Sequence, residues 1–266
     1  MALPPPRSDA AALITGASSG IGAAIAGELC RRGHNAILVA RRRDRLEDLA
    51  ARLHGEHGTR VEVMVCDVAE DASRRGLIDG VRASGLDVDV AVLSAGFGMT
   101  GPYLEHDPER VLQMIRTNLE SSMMLSHPLL ADMVTRQRGA LLLVSSMAGH
   151  QPMPGFGAYA ATKAAVTSFA QMLSEEVRRD GVTVTALCPG PVHTEFADVA
   201  GAAETESSMP AAMCMSAEAC ARAAVDGLDA GARIVMPRAA VRAMAMFGSH
   251  APRALWLPLC RRMMRG

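Results

Sequence analysis

Thr15-Gly16-Ala17-Ser18-Ser19-Gly20-Ile21-Gly22 is the stretch on which the reading of this chain turns. It follows a short apolar run at residues 11–15 and opens a segment with helical patterning. Glycines at such a junction allow a tight turn and let a pyrophosphate approach the backbone. The free amides at the start of the helix then face the negative charge. A glycine cluster alone is a weak signal, because loops use glycine for many purposes. Its place directly after a first strand favours phosphate binding. Gly16, Ser18, Ser19, Gly20, Ile21 and Gly22 are therefore candidate binding residues. The same letters fit G-x-S-x-G, the nucleophile elbow of α/β-hydrolases. That elbow needs a central strand with its acid and histidine downstream, so on a first strand the match is coincidental.

Working outward, short apolar runs recur at residues 36–40, 61–66, 88–93, 140–145, 182–188 and 233–236. They are nearly continuous rather than alternating, as expected of strands covered on both faces. Helical stretches separate them. In residues 44–54, Leu46, Leu49, Ala50 and Leu53 share one face and the charges take the other. Residues 108–137 and 157–179 fit long helices, and residues 216–229 fit another with Ser216 as N-cap. This alternation predicts an α/β fold: a Rossmann-type, doubly wound parallel sheet of about seven strands flanked by helices. Length and even composition suit one domain over residues 11–236, preceded by a flexible tail (1–10) and followed by a C-terminal extension (237–266).

Composition narrows the function classes. A net charge of −1 gives the molecule no electrostatic reason to seek nucleic acid. The six cysteines contain no CxxC pair, which reads as reduced thiols in a cytoplasm. The N-terminus lacks the apolar core of a signal peptide, and no apolar run reaches the ~18–20 residues of a membrane span. No metal site is expected: His54 and His57 lie in a predicted surface loop without further ligands.

Chemistry is carried by Tyr159-Ala-Ala-Thr-Lys163, two ionisable groups four residues apart and hence on one helix face. A free tyrosine titrates near 10, too high for efficient acid/base work at neutrality. A nearby lysine cation is expected to lower it by favouring the phenolate. Ser146 stands thirteen residues earlier, at the end of the fifth strand, where such sheets bind ligands.

The spacing TGxxxGIG, with these residues in order, resembles the short-chain dehydrogenase/reductase family, and matches run from about Leu13 to Met236. The resemblance implies an enzyme in which Tyr159 is the acid/base, Ser146 holds the substrate oxygen and Lys163 also holds the nicotinamide ribose. It implies that Asn118 completes the set through a water relay. Asp67 and Val68 resemble the family's DV step beside the adenine; without the other matches Asp67 would read as a turn residue. Ala95 and Gly96 keep small side chains near the cofactor. Pro189-Gly190-Pro191-Val192-His193-Thr194 resembles PGxxxT, implying that Val192 and Thr194 meet the carboxamide. One departure is Leu93-Ser94 where the family commonly has Asn-Asn, which removes side-chain bonds that brace the sheet. A homodimer or homotetramer is implied by resemblance alone, through residues 108–137 and 157–179.

Cofactor choice follows from Ala40-Arg41-Arg42-Arg43 at the end of the second strand. An NAD-preferring sheet usually has a carboxylate here for the ribose 2′-hydroxyl. Arginine instead binds phosphate through forked, charge-assisted bonds. Arg41 is thus expected to hold the 2′-phosphate of NADP(H), supported by Arg42, while Arg43 solvates the next helix. Phe97, Met99, Met153, Phe156 and residues 195–215, with Met209, Met213 and Met215 as an adaptable lid, predict a small lipophilic carbonyl or alcohol substrate. His150 and His193 fall near that mouth as loop filling. The rival reading is a non-catalytic NADP-binding regulatory protein on the same fold.

The 237–266 extension holds six arginines and no acid, which leaves −7 on the preceding residues. With Phe247, Leu255, Trp256, Leu257 and Leu259 it is expected to pack on its own or a neighbouring subunit, ahead of contact with a membrane surface or acidic partner.

Overall fold

The computed structural model describes residues 3–202 and 209–263. Seven strands form one parallel sheet: β1 Ala10–Thr15, β2 Asn35–Ala40, β3 Val61–Val65, β4 Asp87–Leu93, β5 Gly139–Val144, β6 Val182–Leu187 and β9 Ile234–Val235. Their order is β3-β2-β1-β4-β5-β6-β9, and β7 (Val192–His193) pairs separately with β8 (Met215–Ser216). The predicted fold class is therefore the observed one. β1 enters in the middle, hydrogen-bonded in parallel to β2 on one side and β4 on the other.

Successive strand residues serve opposite faces. Ala12, Ile14 and Leu38 pack with α1 (Gly20–Arg31), α2 (Arg43–His57) and α8 (Ala217–Asp229) through Ile25, Leu29, Leu46, Leu53, Cys220 and Ala224. Leu13, Ile37 and Ala91 pack on the other side with Leu77 of α3 (Asp71–Ala83), Leu125 and Leu129 of α5 (Ser121–Thr135), and Val166 and Ala170 of α6 (Gly157–Glu176). β3 departs from the expectation of burial on both faces: pairing only with β2, it is a sheet edge, and Val65 is exposed. Ser216 caps α8 as predicted, its hydroxyl accepting from Ala219 N at 3.2 Å.

The single helix expected over 108–137 is three segments: α4 (Pro108–Ile115), a π-helical turn (Arg116–Glu120) and α5. A π turn inserts one extra residue and re-aims side chains; here it falls on Asn118.

The tail expected to be flexible is, from Leu3 onward, laid against the domain. Asn35 Nδ2 donates to the carbonyls of Arg7, Ser8 and Ala10, Arg7 pairs with Asp87 at 2.7 Å, and Ala10 already belongs to β1.

The C-terminal extension forms α9 (Ala239–His250) and α10 (Arg253–Met263) beside a 3₁₀ turn at Met147–His150; α7 is the short helix Phe196–Ala200. Val241, Ala245, Trp256 and Cys260 are buried, and Trp256 Nε1 donates to Pro152 O at 3.0 Å. Packing on its own subunit is thus one contact this segment makes. Among the described residues no helix is long and apolar enough to cross a membrane.

Trp256 is the test of that packing. Trp256→Ala should lower unfolding stability by roughly 3–5 kcal/mol, as for other buried large-to-small changes. An unchanged denaturant midpoint would show that α9 and α10 are not part of the folded unit.

Candidate functional site

Strand order reverses where β1 stands between β2 and β4, and the crevice beyond their carboxyl ends is where sheets of this kind take ligands. A cavity of about 440 Å³ lies there.

Its floor is the β1–α1 turn. Gly16 and Gly20 have φ of +70° and +58°, a region that disfavours side chains. A Cβ on Gly22 would stand 2.5 Å from Gly16 O, so only glycine lets the helix start so close to the strand. Ser19 is the N-cap of α1 but makes no side-chain cap bond, leaving the first amides without that partner. Free amides beside a turn without side chains fit a pyrophosphate.

Every residue predicted to bind cofactor lines this cavity: Gly16, Ser18 to Gly22, Arg41, Arg42, Asp67, Val68, Ala95, Gly96, Tyr159, Lys163, Pro189, Gly190, Val192 and Thr194. The 189–194 segment reaches the glycine turn directly, since a Cβ on Gly20 would sit 3.2 Å from Thr194 Cγ2. Asp67 makes a turn as well, its carboxylate accepting from Ala69 N at 3.0 Å.

The two arginines, both at the cavity, have different protein partners. Arg41 is largely exposed and, among the described residues, pairs with Asp67 at 3.7 Å. Arg42 turns into the glycine loop, where Nη2 donates to Ser18 Oγ and Ser19 Oγ, both at 2.9 Å. Arg42 is the N-cap of α2, which starts beside the glycine turn. Glu195, which the sequence did not single out, pairs with Arg42 at 3.1 Å and Arg45 at 2.5 Å. Only the fold brings residues 42 and 195 together, so no local pattern could have revealed it.

On the other wall Ser146, Tyr159 and Lys163 converge. Ser146 follows β5 and caps the Met147–His150 turn, its hydroxyl accepting from Ala148 N at 3.1 Å and standing near enough to Tyr159 to pull its pKa down. Lys163 Nζ donates to Val144 O at 2.8 Å and lies 5.7 Å from the Tyr159 ring centroid. Beneath it, Ser145 Oγ donates to Lys163 O at 2.8 Å, a support the sequence reading missed. Asn118 is buried behind the cavity wall: Oδ1 accepts from Phe97 N at 3.0 Å, and Nδ2 donates to Phe97 O and Thr162 Oγ1. A Cβ on Gly96 would meet Asn118 Oδ1 at 3.0 Å and Lys163 Nζ at 3.3 Å, so the small residue keeps these groups close.

Burial governs both ionisable groups. It pushes the Tyr159 phenol up to about 12, against the opposing pull of the Ser146 hydrogen bond. It pushes the Lys163 ammonium down to about 8. The expectation that lysine lowers the tyrosine is therefore not met: desolvation is the largest cause, and the opposing pull comes from Ser146.

The Leu93-Ser94 departure is compensated in part from β1. Thr15 Oγ1 accepts from Ser94 N at 3.0 Å and Ala95 N at 3.2 Å, while Leu93 is buried in the core.

The apolar mouth is lined by Phe97, Met153, Phe156, Phe196, Val199 and Met209. Phe156 and Phe196 stand 6.0 and 5.4 Å from the Tyr159 ring. Several predicted members fall elsewhere. Met99 packs behind the wall, Met213 is not at the cavity, and Met215 is in β8, paired with Val192 and buried in the core. Residues 203–208 of the expected lid lie outside the described residues. Neither His150 nor His193 lines the cavity. Arg110, which the sequence did not single out, does, stacked 4.3 Å from the centre of Phe97. Among the described residues no three His, Cys, Asp or Glu side chains group as metal ligands.

The family model described as short chain dehydrogenase matches residues 10–205. A putative ketoacyl reductase of the granaticin polyketide synthase, from Streptomyces violaceoruber, is 36% identical over 70% of this chain and 69% of its own length. A very-long-chain 3-oxoacyl-CoA reductase of Anas platyrhynchos is 31% identical over 71% of this chain, which spans 61% of that protein. Among solved structures, a short-chain dehydrogenase of Sphingobium yanoikuyae in complex with NADPH superposes with a TM-score of 0.81 at 31% identity, covering 90% of this chain and 93% of that one. The chain belongs to the short-chain dehydrogenase family and is an oxidoreductase on a nucleotide-binding fold.

Lys163 gives the site a measurable pH signature without nucleotide. Its folded pKa of about 8 lies below the unfolded value of 10.5, so the buried ammonium opposes folding below pH 8. That opposition is lost as pH rises from about 8 toward 10.5. The unfolding free energy of the parent minus that of Lys163→Met should therefore rise by roughly 2–4 kcal/mol between neutrality and pH 10. A flat difference in denaturant melts would mean that the ammonium is hydrated.

Proposed function

We propose that the chain is an NADP(H)-dependent reductase that interconverts a lipophilic carbonyl and its alcohol. The observation that carries this reading is the convergence of Ser146, Tyr159 and Lys163 on the wall of a cavity whose floor is the glycine turn. Bound there, the nicotinamide would supply or accept the hydride. In the reductive direction Tyr159 gives its proton to the carbonyl oxygen, which Ser146 holds by hydrogen bond. A phenol kept protonated by burial is poised as the acid, and each developing charge needs Lys163 close by. Asn118 positions the Phe97 loop and Thr162. Lys163, held by Val144 O, would also carry the nicotinamide ribose.

Several observations support the finer parts. Arg42 with Ser18 and Ser19 forms a donor cluster suited to a 2′-phosphate, and Ala40 offers no carboxylate to the 2′-hydroxyl. The Sphingobium relative was solved with NADPH. The phenylalanine and methionine wall, and the long-chain substrate named for the Anas relative, favour an apolar carbonyl. Leu112, Ile115, Met123, Met124 and Met172 are exposed on α4, α5 and α6, the helices through which self-association into a dimer or tetramer is proposed.

Tyr159→Phe should keep nucleotide binding and lose activity toward apolar ketones by about 10²–10⁴, the contribution typical of a general acid. Turnover near that of the parent in an NADPH-oxidation assay would overturn the mechanism.

Cofactor choice is tested by arginine. The kcat/KM preference for NADPH over NADH should fall roughly 10- to 150-fold in Arg42→Leu, the worth of hydrogen bonds to a charged group. In Arg41→Leu it should fall much less. Equal use of both nucleotides by the parent would refute the NADP reading, and a larger loss in Arg41→Leu would return the phosphate to Arg41.

A further inference from the structure

The last two helices bury one face and leave the other without cover. In α9, Val241, Ala245 and Gly248 face the domain, whereas Arg242, Met246 and Phe247 face outward. In α10, Trp256 and Cys260 turn inward, and Leu255, Leu259 and Arg262 share the opposite side at helical spacing. The exposure is large: 58% for Met246, 60% for Phe247 and 69% for Leu255. Side chains of this size, grouped on two consecutive helices, are not the scattered apolar residues of an ordinary surface.

Charge says what covers them. Residues 237–266 contain six arginines and no acidic residue. Arg238, Arg242, Arg253, Arg261 and Arg262 are exposed, and no ion pair is formed by them among the described residues. Arg253 is used internally, donating to Gly248 O and Ser249 O at the end of α9. A second copy docked by the same face would set arginines against arginines, which opposes a two-fold contact. A surface that accepts long apolar side chains and offers negative charge meets both demands. Helices with arginine beside exposed phenylalanine and leucine lie in the headgroup layer, the guanidinium groups reaching phosphates while their stems cover apolar surface.

We propose that the outward faces of α9 and α10 dock on an anionic lipid bilayer. The contact lies next to the cavity: α9 packs on the Met147–His150 turn that follows Ser146, and Trp256 bonds to Pro152, beside the cavity-lining Met153. An apolar substrate dissolved in the bilayer would thus be presented close to the mouth. The docking itself stands whether or not the proposed reductase activity does.

The test is sedimentation of the full chain with vesicles of phosphatidylcholine, alone or mixed with phosphatidylserine, at low and high salt. Binding is expected only with phosphatidylserine, and should weaken as salt rises. Arg242→Gln with Arg262→Gln should weaken it by about fivefold per arginine removed. Met246→Ser with Leu255→Ser should also abolish most of it, while the thermal midpoint and NADPH binding stay at parent values, because both side chains are exposed and, unlike Phe247, make no ring contact with Trp256. No sedimentation with either vesicle would overturn the proposal. So would equal capture on polyglutamate beads that survives Met246→Ser/Leu255→Ser, which would indicate an acidic protein partner. Self-association without lipid that these serine variants dissolve, with no vesicle binding by the parent, would make the face an interface between copies instead.

Discussion

β1 lies between β2 and β4, and the chain must leave it in one direction and return on the other side. The helices after β1 and β2 cover one face of the sheet, and those after β3, β4 and β5 cover the other. Their separation leaves the carboxyl ends of β1 and β4 uncovered. The glycine turn, the Ser94–Phe97 loop and the 189–194 segment all border this opening. Thr15 joins two of them, its hydroxyl holding the amides of Ser94 and Ala95. Close approach of Gly22 to Gly16 then sets how deep a phosphate can enter.

The opposite wall has a different problem, that of keeping a lysine and a tyrosine out of water. Lys163 is 4% exposed, and a buried ammonium is unfavourable without partners. The protein offers it the Val144 carbonyl rather than a carboxylate, so the group stays near its titration range instead of being locked as a cation. A carboxylate partner would have raised the pKa and neutralised that charge. The π turn at Arg116–Glu120 belongs to the same arrangement. The Asn118 amide binds the Phe97 backbone on one side and Thr162 on the other, tying the β4 loop to α6.

At the outer end of the cavity, arginine chemistry is organised by the helix start. Arg42 is held by two serine hydroxyls and a carboxylate, which restricts a long side chain that would otherwise sample many rotamers. Because Glu195 lies just after Thr194 and just before Phe196, that ion pair also links the arginine end of the crevice to the apolar wall near Tyr159. These are exposed bonds of modest individual strength, so their effect is on where the 194–200 segment rests rather than on global stability.

The sequence by itself determined the sheet, the glycine turn at its carboxyl end and the residues that gather on both walls of the cavity. Those depend on local signals: continuous apolar runs, glycines at a strand end, and four-residue spacing on a helix. The same signals could not show that β3 is an edge, because pairing partners are set by order in the sheet and not by composition. They could not show that helix 108–137 breaks at Asn118, since a π turn is stabilised by bonds to Phe97 and Thr162, distant in the chain. The sequence put Arg41 first and Arg42 in support, but only the tertiary structure shows that Arg42 reaches Ser18 and Ser19 while Arg41 lies toward Asp67. The tyrosine shows the limit most directly. Its lysine was visible at i+4, but the balance between attraction and desolvation depends on how completely Phe156, Phe196 and the sheet exclude water. That exclusion exists only once the tertiary structure has formed.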